Sequence, residues 1–358
     1  MSRISAASEG SSQVGPGVVP LTEPTPLPEV SPSQGAREPD GSHRRAWTRR
    51  LLQQFGLALF VLVLGAALTA YTPYFLTGTN ISALFVQMSV IAIIAVGQLM
   101  VIITAGIDLS VSTVVGLAGT LAAYLVVYDH TGTALGMFLG VAAGGAVGLI
   151  NGILITRVHL PPFIATLATL SAVGGAALIL TNGQPVGAPA SFDVLGAGKL
   201  GPIAVPIVVM LVVAVAGWFV LARTTFGRSV YAIGSNYEAA RLSGIAVNRV
   251  ITSVYVIQGL LAGLGGVVVA SRILTGDPTS GTNYNLDAIA AVVIGGASLF
   301  GGEGTVFGAM VGALLMELIS NGSDLLNISS FWQEVILGVV IVIAIAYDQA
   351  RRRAFARR

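Results

Sequence analysis

Apolar stretches recur along this chain at lengths set by a lipid bilayer, and no other feature restricts its fold as tightly. They lie at about 52–71, 81–104, 107–128, 133–157, 161–182, 201–222, 250–272, 286–301, 304–320 and 331–348. A helix needs about 20 apolar residues to cross the hydrocarbon core. Charged residues make up 9% of the chain, against about 25% in a soluble domain. The expected fold is all-α: a polytopic membrane protein of about ten transmembrane helices. The eighth and ninth stretches are short for a full crossing, so breaks or re-entrant segments are expected there. An eight-span arrangement with 286–320 re-entrant satisfies the same pattern.

Charge sets the orientation. With the N-terminus inside and strict alternation, the outer segments hold only Lys199 and Arg272 of the 18 basic residues. The other basic residues fall inside, as the positive-inside rule requires. Residues 1–50 are polar, rich in Pro, Ser, Gly and Glu, and are expected to form a disordered cytoplasmic tail. The tail ends in Arg44, Arg45, Trp47, Arg49 and Arg50, a membrane-edge anchor. Residues 51–348 form the transmembrane domain, and 349–358 a basic cytoplasmic tail.

One inner loop, 223–250, is longer and more polar than the rest. Within it, Tyr237–Ile245 reads as a short helix, with Asn236 as N-cap and Gly244 as its stop. Ala239, Leu242 and Ile245 are expected to form its apolar face, with Arg241 pointing elsewhere. Two turns of helix are unstable alone, so this one needs a surface to dock on. A solvated loop is the plain alternative.

In the fourth stretch, glycines recur every fourth position: Gly132, Gly136, Gly140, Gly144, Gly148 and Gly152. On a helix they form a ridge without side chains that admits a neighbour closely. Thr113-Val114-Val115-Gly116 is echoed at Thr305-Val306-Phe307-Gly308, a short trace of internal duplication.

Ionisable groups inside the apolar spans are few. Asp108 stands between two apolar runs. A carboxylate at the bilayer centre costs about 2.5–3.5 kcal/mol on insertion scales, so it belongs at a helix N-terminus or beside water. Asp108 or Ser110 is placed to cap the helix beginning near Val111, and both are also candidates for a pathway or gate. Gln98, Asn151, Phe163, Thr166, Tyr255 and Gln258 are further pathway candidates, although interhelical hydrogen bonds and packing are the commoner roles for such residues. Glu303 sits among Gly301, Gly302 and Gly304, a non-helical break. Arg272 and Asp287 flank the outer loop 273–286 as an exposed pair or a docking feature. Glu317 must face protein or water.

Several chemistries are excluded. There are no cysteines, hence no thiolate metal site. His43, His130 and His159 are far apart, and no metal spacing or nucleophile–base arrangement is present. The single lysine, Lys199, precedes Leu200, so no phosphate-binding P-loop exists. If ATP drives this protein, another subunit hydrolyses it.

Four stretches taken in order resemble the permease subunits of bacterial ABC importers of the ribose/xylose/galactose type. They are AGIDLSVSTVVGL (105–117), NGILITRVHLPPFIATLATL (151–170), TTFGRSVYAIGSNYEAARLSGI (224–245) and AIAAVVIGGASLFGGEGTV (288–306). Asp108 matches the acid of the family's Gly-Ile-Asp-Leu-Ser segment, while Ala105 stands where a second glycine is common. The resemblance covers about 51–348. It implies a permease homodimer in the bacterial cytoplasmic membrane, both termini inside, moving a monosaccharide. Its implied partners are ABC ATPase subunits, an extracytoplasmic sugar-binding protein and the lipid bilayer, with no nucleic acid. It implies no cofactor in this chain, with ATP and Mg held by the ATPase. The segment bearing Gly227, Arg228, Asn236, Glu238, Ala239, Ala240, Arg241 and Gly244 is similar to the ATPase-docking segment of importer permeases. Competing readings are a branched-chain amino-acid or nucleoside ABC permease, and an ion-coupled secondary transporter.

Overall fold

The computed structural model describes residues 41–339 together with 342, 343 and 346, with side chains from Gly56 onward. The expected tails at 1–40 and 349–358, and the side chains of the basic anchor, lie outside the described residues. Contacts divide the chain into Met1–Ala46 and Trp47–Arg358; all packing below belongs to the second unit.

The described chain is almost wholly helical. In order come α1 (Gly41–Tyr71), α2 (Gly78–Ile103), α3 (Val111–Val127), α4 (Thr133–Thr156), α5 (Pro162–Thr181), α6 (Val205–Arg223), α7 (Thr225–Ser235), α8 (Tyr237–Leu242), α9 (Val247–Ile273), α10 (Tyr284–Ile294) and α11 (Val306–Leu325). Residues 330–339 are helical again. Among the described residues, α2, α4, α5, α6, α9 and α11 are long and apolar enough to cross a membrane. Helix α1 begins at Gly41, earlier than the tail boundary at 50, because Arg44–Gln54 contains good helix formers and no proline.

Helix α2 is the centre. Every residue from Met88 to Ile103 is buried, as an all-round apolar helix requires when protein rather than lipid surrounds it. Helix α9 lies against it and against α3 and α4. Helices α5 and α6 are largely exposed and carry the apolar surface that lipid or another subunit would cover.

The glycine ridge of α4 faces α3 and α9. A Cβ on Gly140 would stand 2.5 Å from Ala118 O, and one on Gly152 2.8 Å from Thr252 Cα. Gly144 meets Gly259 and Gly263 of α9, and Gly148 meets Tyr255 and Val256. Gly136 lies against Val126 and Ala122 of α3, whereas Gly132 has nothing nearby. Backbone here touches backbone.

Two irregular segments interrupt the bundle. Residues 104–110 separate α2 from α3, which starts four residues later than the expected span. Residues 275–283 descend beside α3: Gly276 lies against Ala123 and Thr120, Pro278 against Gly116, and Gly281 against Ser112. The expected outer loop 273–286 is therefore largely folded inward. Helix α10 follows with only 11 residues, about 16 Å, so the eighth stretch is a half-helix. The ninth is not short: α11 has 20 residues. Its C-terminal half carries Glu317, Asn321 and Ser323, all buried, and counting apolar residues alone ends the span too early. Arg272 and Asp287 do not form the expected exposed pair, since no ion pair joins them among the described residues and both are partly buried.

The loops sort to two ends. At one, the Gly302 N–H donates to Ile103 O (2.9 Å) and Tyr231 Oη donates to Gly304 O (2.7 Å). At the other, β1 (Val186–Gly187) pairs with β2 (Thr275–Gly276), and Ser271 Oγ donates to Phe192 O.

Candidate functional sites, a buried polar chain and a surface helix

The break at 104–110 puts a carboxylate inside the bundle. Asp108 is 2% exposed. Its Oδ1 accepts from the Ser110 N–H (2.9 Å) and from Ser110 Oγ (2.6 Å). The chain continues across helices: Asn151 Nδ2 donates to Ser110 Oγ (2.9 Å), and Thr169 Oγ1 donates to Asn151 Oδ1 (2.7 Å). Thr166 Oγ1 reaches Ile107 O (3.2 Å). Asp108, Ser110, Asn151 and Thr166 are thus brought together, joining the 104–110 break to α4 and α5. Thr169 completes the set. It was not singled out in the sequence, because a threonine in an apolar helix usually bonds back to its own backbone, as this one also does.

Ser110 occupies the N-cap of α3 but makes no side-chain capping bond, because its hydroxyl is committed to Asp108. Phe163 is 48% exposed and its side chain makes none of the hydrogen bonds of this chain. Gln98 and Gln258 form a separate buried pair between α2 and α9, with Gln258 Nε2 donating to Gln98 Oε1 (3.0 Å). Tyr255 is buried with a hydroxyl that lacks a hydrogen-bond partner, close enough to Gly106 that a Cβ there would lie 2.6 Å from it. Ala105 adopts φ +60°, the left-handed region that favours glycine.

Asn151 holds both sides of the chain, so its loss leaves buried groups unpaired. Asn151→Ala is expected to destabilise the domain by about 1–3 kcal/mol, read as a lowered melting temperature in detergent. An unchanged melting temperature would remove the structural weight given to this residue.

The second site is on the surface. Helix α7 (Thr225–Ser235) has no clear signal in the sequence. Thr224 caps it, with its Oγ1 accepting from the Gly227 N–H (3.1 Å), and Val230 and Ile233 face inward. Its glycines at 227 and 234 hide the helical period but are needed for packing: Gly227 sits on Leu221 and Val220, and Gly234 on Ile103 and Gly302. Helix α8 is the short helix read from the sequence. Asn236 Oδ1 accepts from the Ala239 N–H (2.9 Å), and Gly244 has φ +82°.

Ala240 is the buried residue of α8, packed with Ile233 and Val247, while Ala239 is exposed and Leu242 is 81% exposed. Among the docking candidates, Gly227 and Ala240 are buried; Arg228, Asn236, Glu238, Ala239, Arg241 and Gly244 are exposed. Glu238 and Arg241 pair at 2.9 Å, an exposed contact worth little to stability. Beside them is an open groove of about 790 Å³ lined by His159, Tyr237, Glu238, Arg241, Ala246 and Arg249 among others. An exposed leucine beside charged residues on a rigid two-turn helix is suited to docking a soluble protein.

Comparison with known proteins identifies the family. The family described as "Branched-chain amino acid transport system / permease component" matches residues 80–345. The ribose import permease protein of Escherichia coli is 39% identical over 316 residues, 87% of this chain and 98% of its own length. The ribose import permease protein of Bacillus subtilis is 42% identical over 306 residues, covering 84% and 94%. The L-arabinose ABC transporter permease protein of Azospirillum brasilense is 38% identical over 333 residues, covering 92% and 95%. No solved structure matches. The chain belongs to this permease family, and it is the membrane-spanning transport subunit of an ABC importer rather than an enzyme.

Proposed function

We propose that this chain, as a homodimer, forms the path by which a monosaccharide crosses the cytoplasmic membrane, powered by a separate ATPase pair and supplied by an extracytoplasmic binding protein. The observation that carries the reading is near-full-length similarity to relatives named for ribose and L-arabinose. The reading takes the loop 223–250, with α7 and α8, as the ATPase-docking face, and the end bearing it as cytoplasmic. That places both termini inside, with Arg157, Arg223, Arg228, Arg241 and Arg249 on the same side.

The packing supports a route for coupling. The C-terminal end of α7 touches the end of α2 and the 301–304 loop, and the next residues beyond α2 lead to Asp108. Movement of α7 and α8 by a docked ATPase would therefore press on the break holding Asp108, Ser110 and Asn151. Such a rigid-body step opens one end of a path while closing the other. Gln98, Gln258 and Thr166 supply further polar groups within the bundle.

The complex reconstituted in lipid vesicles, with binding protein outside and ATP inside, is expected to accumulate labelled pentose or hexose. It is also expected to lose at least about tenfold of that uptake in Asp108→Ala, the loss of a charge-assisted hydrogen-bonding group. Uptake of leucine but of no sugar would overturn the substrate reading. Uptake that survives ATP depletion and stops with an uncoupler would overturn the ATP-driven mechanism.

A further inference from the structure

The groove beside α8 is framed by the ends of membrane-spanning helices. Its polar lining comes from α8 (Tyr237, Glu238, Arg241), from the start of α9 (Asn248, Arg249) and from His159 in the turn between α4 and α5. Two contacts hold the ends of α4 and α9 together just inside it. Thr156 Oγ1 and Thr252 Oγ1 are 3.0 Å apart, and a Cβ on Gly152 would meet Thr252. The turn itself is tied down. The Val158 N–H donates to Ile153 O (3.3 Å) and the Leu160 N–H to Leu154 O (3.1 Å), and Pro161 and Pro162 then fix the start of α5. Depth follows from length. Helix α4 has 24 residues and α9 has 27, about 36 and 40 Å, against a hydrocarbon core of about 30 Å. Their ends therefore stand in the headgroup layer, and the groove stands with them.

At that depth the groove presents donors and cations. Glu238 is the one acid in its lining, and Arg241 neutralises it. The side chains of Arg249, His159, Asn248 and Tyr237 have no hydrogen bond or ion pair among the described residues. Just past the turn the surface becomes apolar. Phe163, Ile164 and Leu167 of α5 are 48%, 49% and 41% exposed, and their spacing puts them on one face of the helix. An unpaired guanidinium beside an apolar helix face matches the two ends of a phospholipid. A phosphodiester offers two oxygens to the guanidinium fork, and acyl chains cover the apolar strip. A choline headgroup adds a cation that Arg241 and Arg249 repel, so the groove selects an anionic lipid, as basic pockets between spans do. We propose that Arg249, His159, Asn248 and Tyr237 bind the phosphate of an anionic phospholipid whose chains lie along Phe163, Ile164 and Leu167. The lipid bridges α8 to the α4–α5 turn and steadies the helix read above as the ATPase-docking element. Its binding does not depend on that reading or on the substrate carried.

The test is native mass spectrometry of the permease with its ATPase in neutral detergent, titrated with dioleoylphosphatidylglycerol or dioleoylphosphatidylcholine. The wild type is expected to bind its first phosphatidylglycerol more tightly than phosphatidylcholine. Arg249→Gln should weaken phosphatidylglycerol binding about fivefold, the effect of removing one cation at the membrane surface, and leave phosphatidylcholine binding unchanged. Arg249→Lys, which keeps the charge, should restore most of the loss. Arg223→Gln is the control, because Arg223 lies over the Trp218 ring (5.7 Å to its centroid) and outside the groove lining; it should change binding little. Should Arg249→Gln fail to assemble, His159→Gln carries the same test. No preference for phosphatidylglycerol in the wild type, or an equal fall in Arg249→Gln and Arg223→Gln, overturns the site. Displacement of the bound lipid by millimolar inorganic phosphate overturns the lipid assignment in favour of free phosphate. Loss of the ATPase from Arg249→Gln with phosphatidylglycerol binding intact gives the groove to the ATPase and overturns the proposal.

Discussion

Leucine at position 144 is expected to prevent assembly of the membrane domain. Gly144 is buried in α4, and a Cβ there would run into the Gly259 carbonyl oxygen and lie 2.9 Å from Gly263 Cα. Both obstacles are backbone, so no rotamer change relieves them. The helices must separate, and separation undoes the α4–α9 contact along Gly140, Gly148 and Gly152 as well. Overpacking of a side chain against adaptable neighbours costs about 1–3 kcal/mol. Against backbone the cost exceeds that range and approaches the whole stability of a marginally stable fold. Detergent extracts of Gly144→Leu should give aggregated protein on size-exclusion chromatography, and Gly144→Ala a lowered melting temperature. Gly56→Ala is the control, because nothing lies within 4 Å of a Cβ there. Monodisperse, normally stable Gly144→Leu would refute close packing as the purpose of the ridge.

Charge reversal on α8 should act in the opposite way, sparing the fold and breaking the complex. Glu238 is exposed, with its side chain 64% accessible, and its pairing with Arg241 is a surface contact. Glu238→Arg should therefore move the melting temperature of the isolated permease little. At a docked interface the same change sets a new cation beside Arg241 and removes an anion the partner would meet. Juxtaposed like charges at an interface cost several kcal/mol, so co-purification of the ATPase should fall by at least about tenfold. Membrane insertion should be unaffected. Undiminished co-purification would remove α8 from the docking face and leave its exposed Leu242 without a purpose.

The contrast between these two positions shows what a linear reading can reach. The spacing of glycines along α4 was visible because a ridge needs one residue every turn, and a helix makes that spacing periodic. The caps of α8 were equally plain, since Asn before a helix-forming run and Gly after it act within a few residues. The residue that anchors α8 to the bundle was not legible. Six residues carry too little pattern, and packing against Ile233 and Val247 buries Ala240. Helix α7 was hidden for a related reason: its glycines read as breakers along the chain, but in space they are where α6, α2 and the 301–304 loop come close.

The polar candidates divide the same way. A lone Asp108 among apolar residues announces itself by its insertion cost, and its bond to Ser110 is local, but the onward links from Ser110 to Asn151 and from Asn151 to Thr169 join residues 41 and 18 positions apart. Glu317 and Arg272 carry no local signature at all beyond being charged. Composition and span length dictated a helical membrane protein, because transfer free energy is a sum over nearby residues. Which spans break midway, and which buried polar groups meet there, was decided only by the tertiary fold. Those outcomes depend on satisfying backbone and side-chain hydrogen bonds between segments far apart in the chain, where lipid offers no partner.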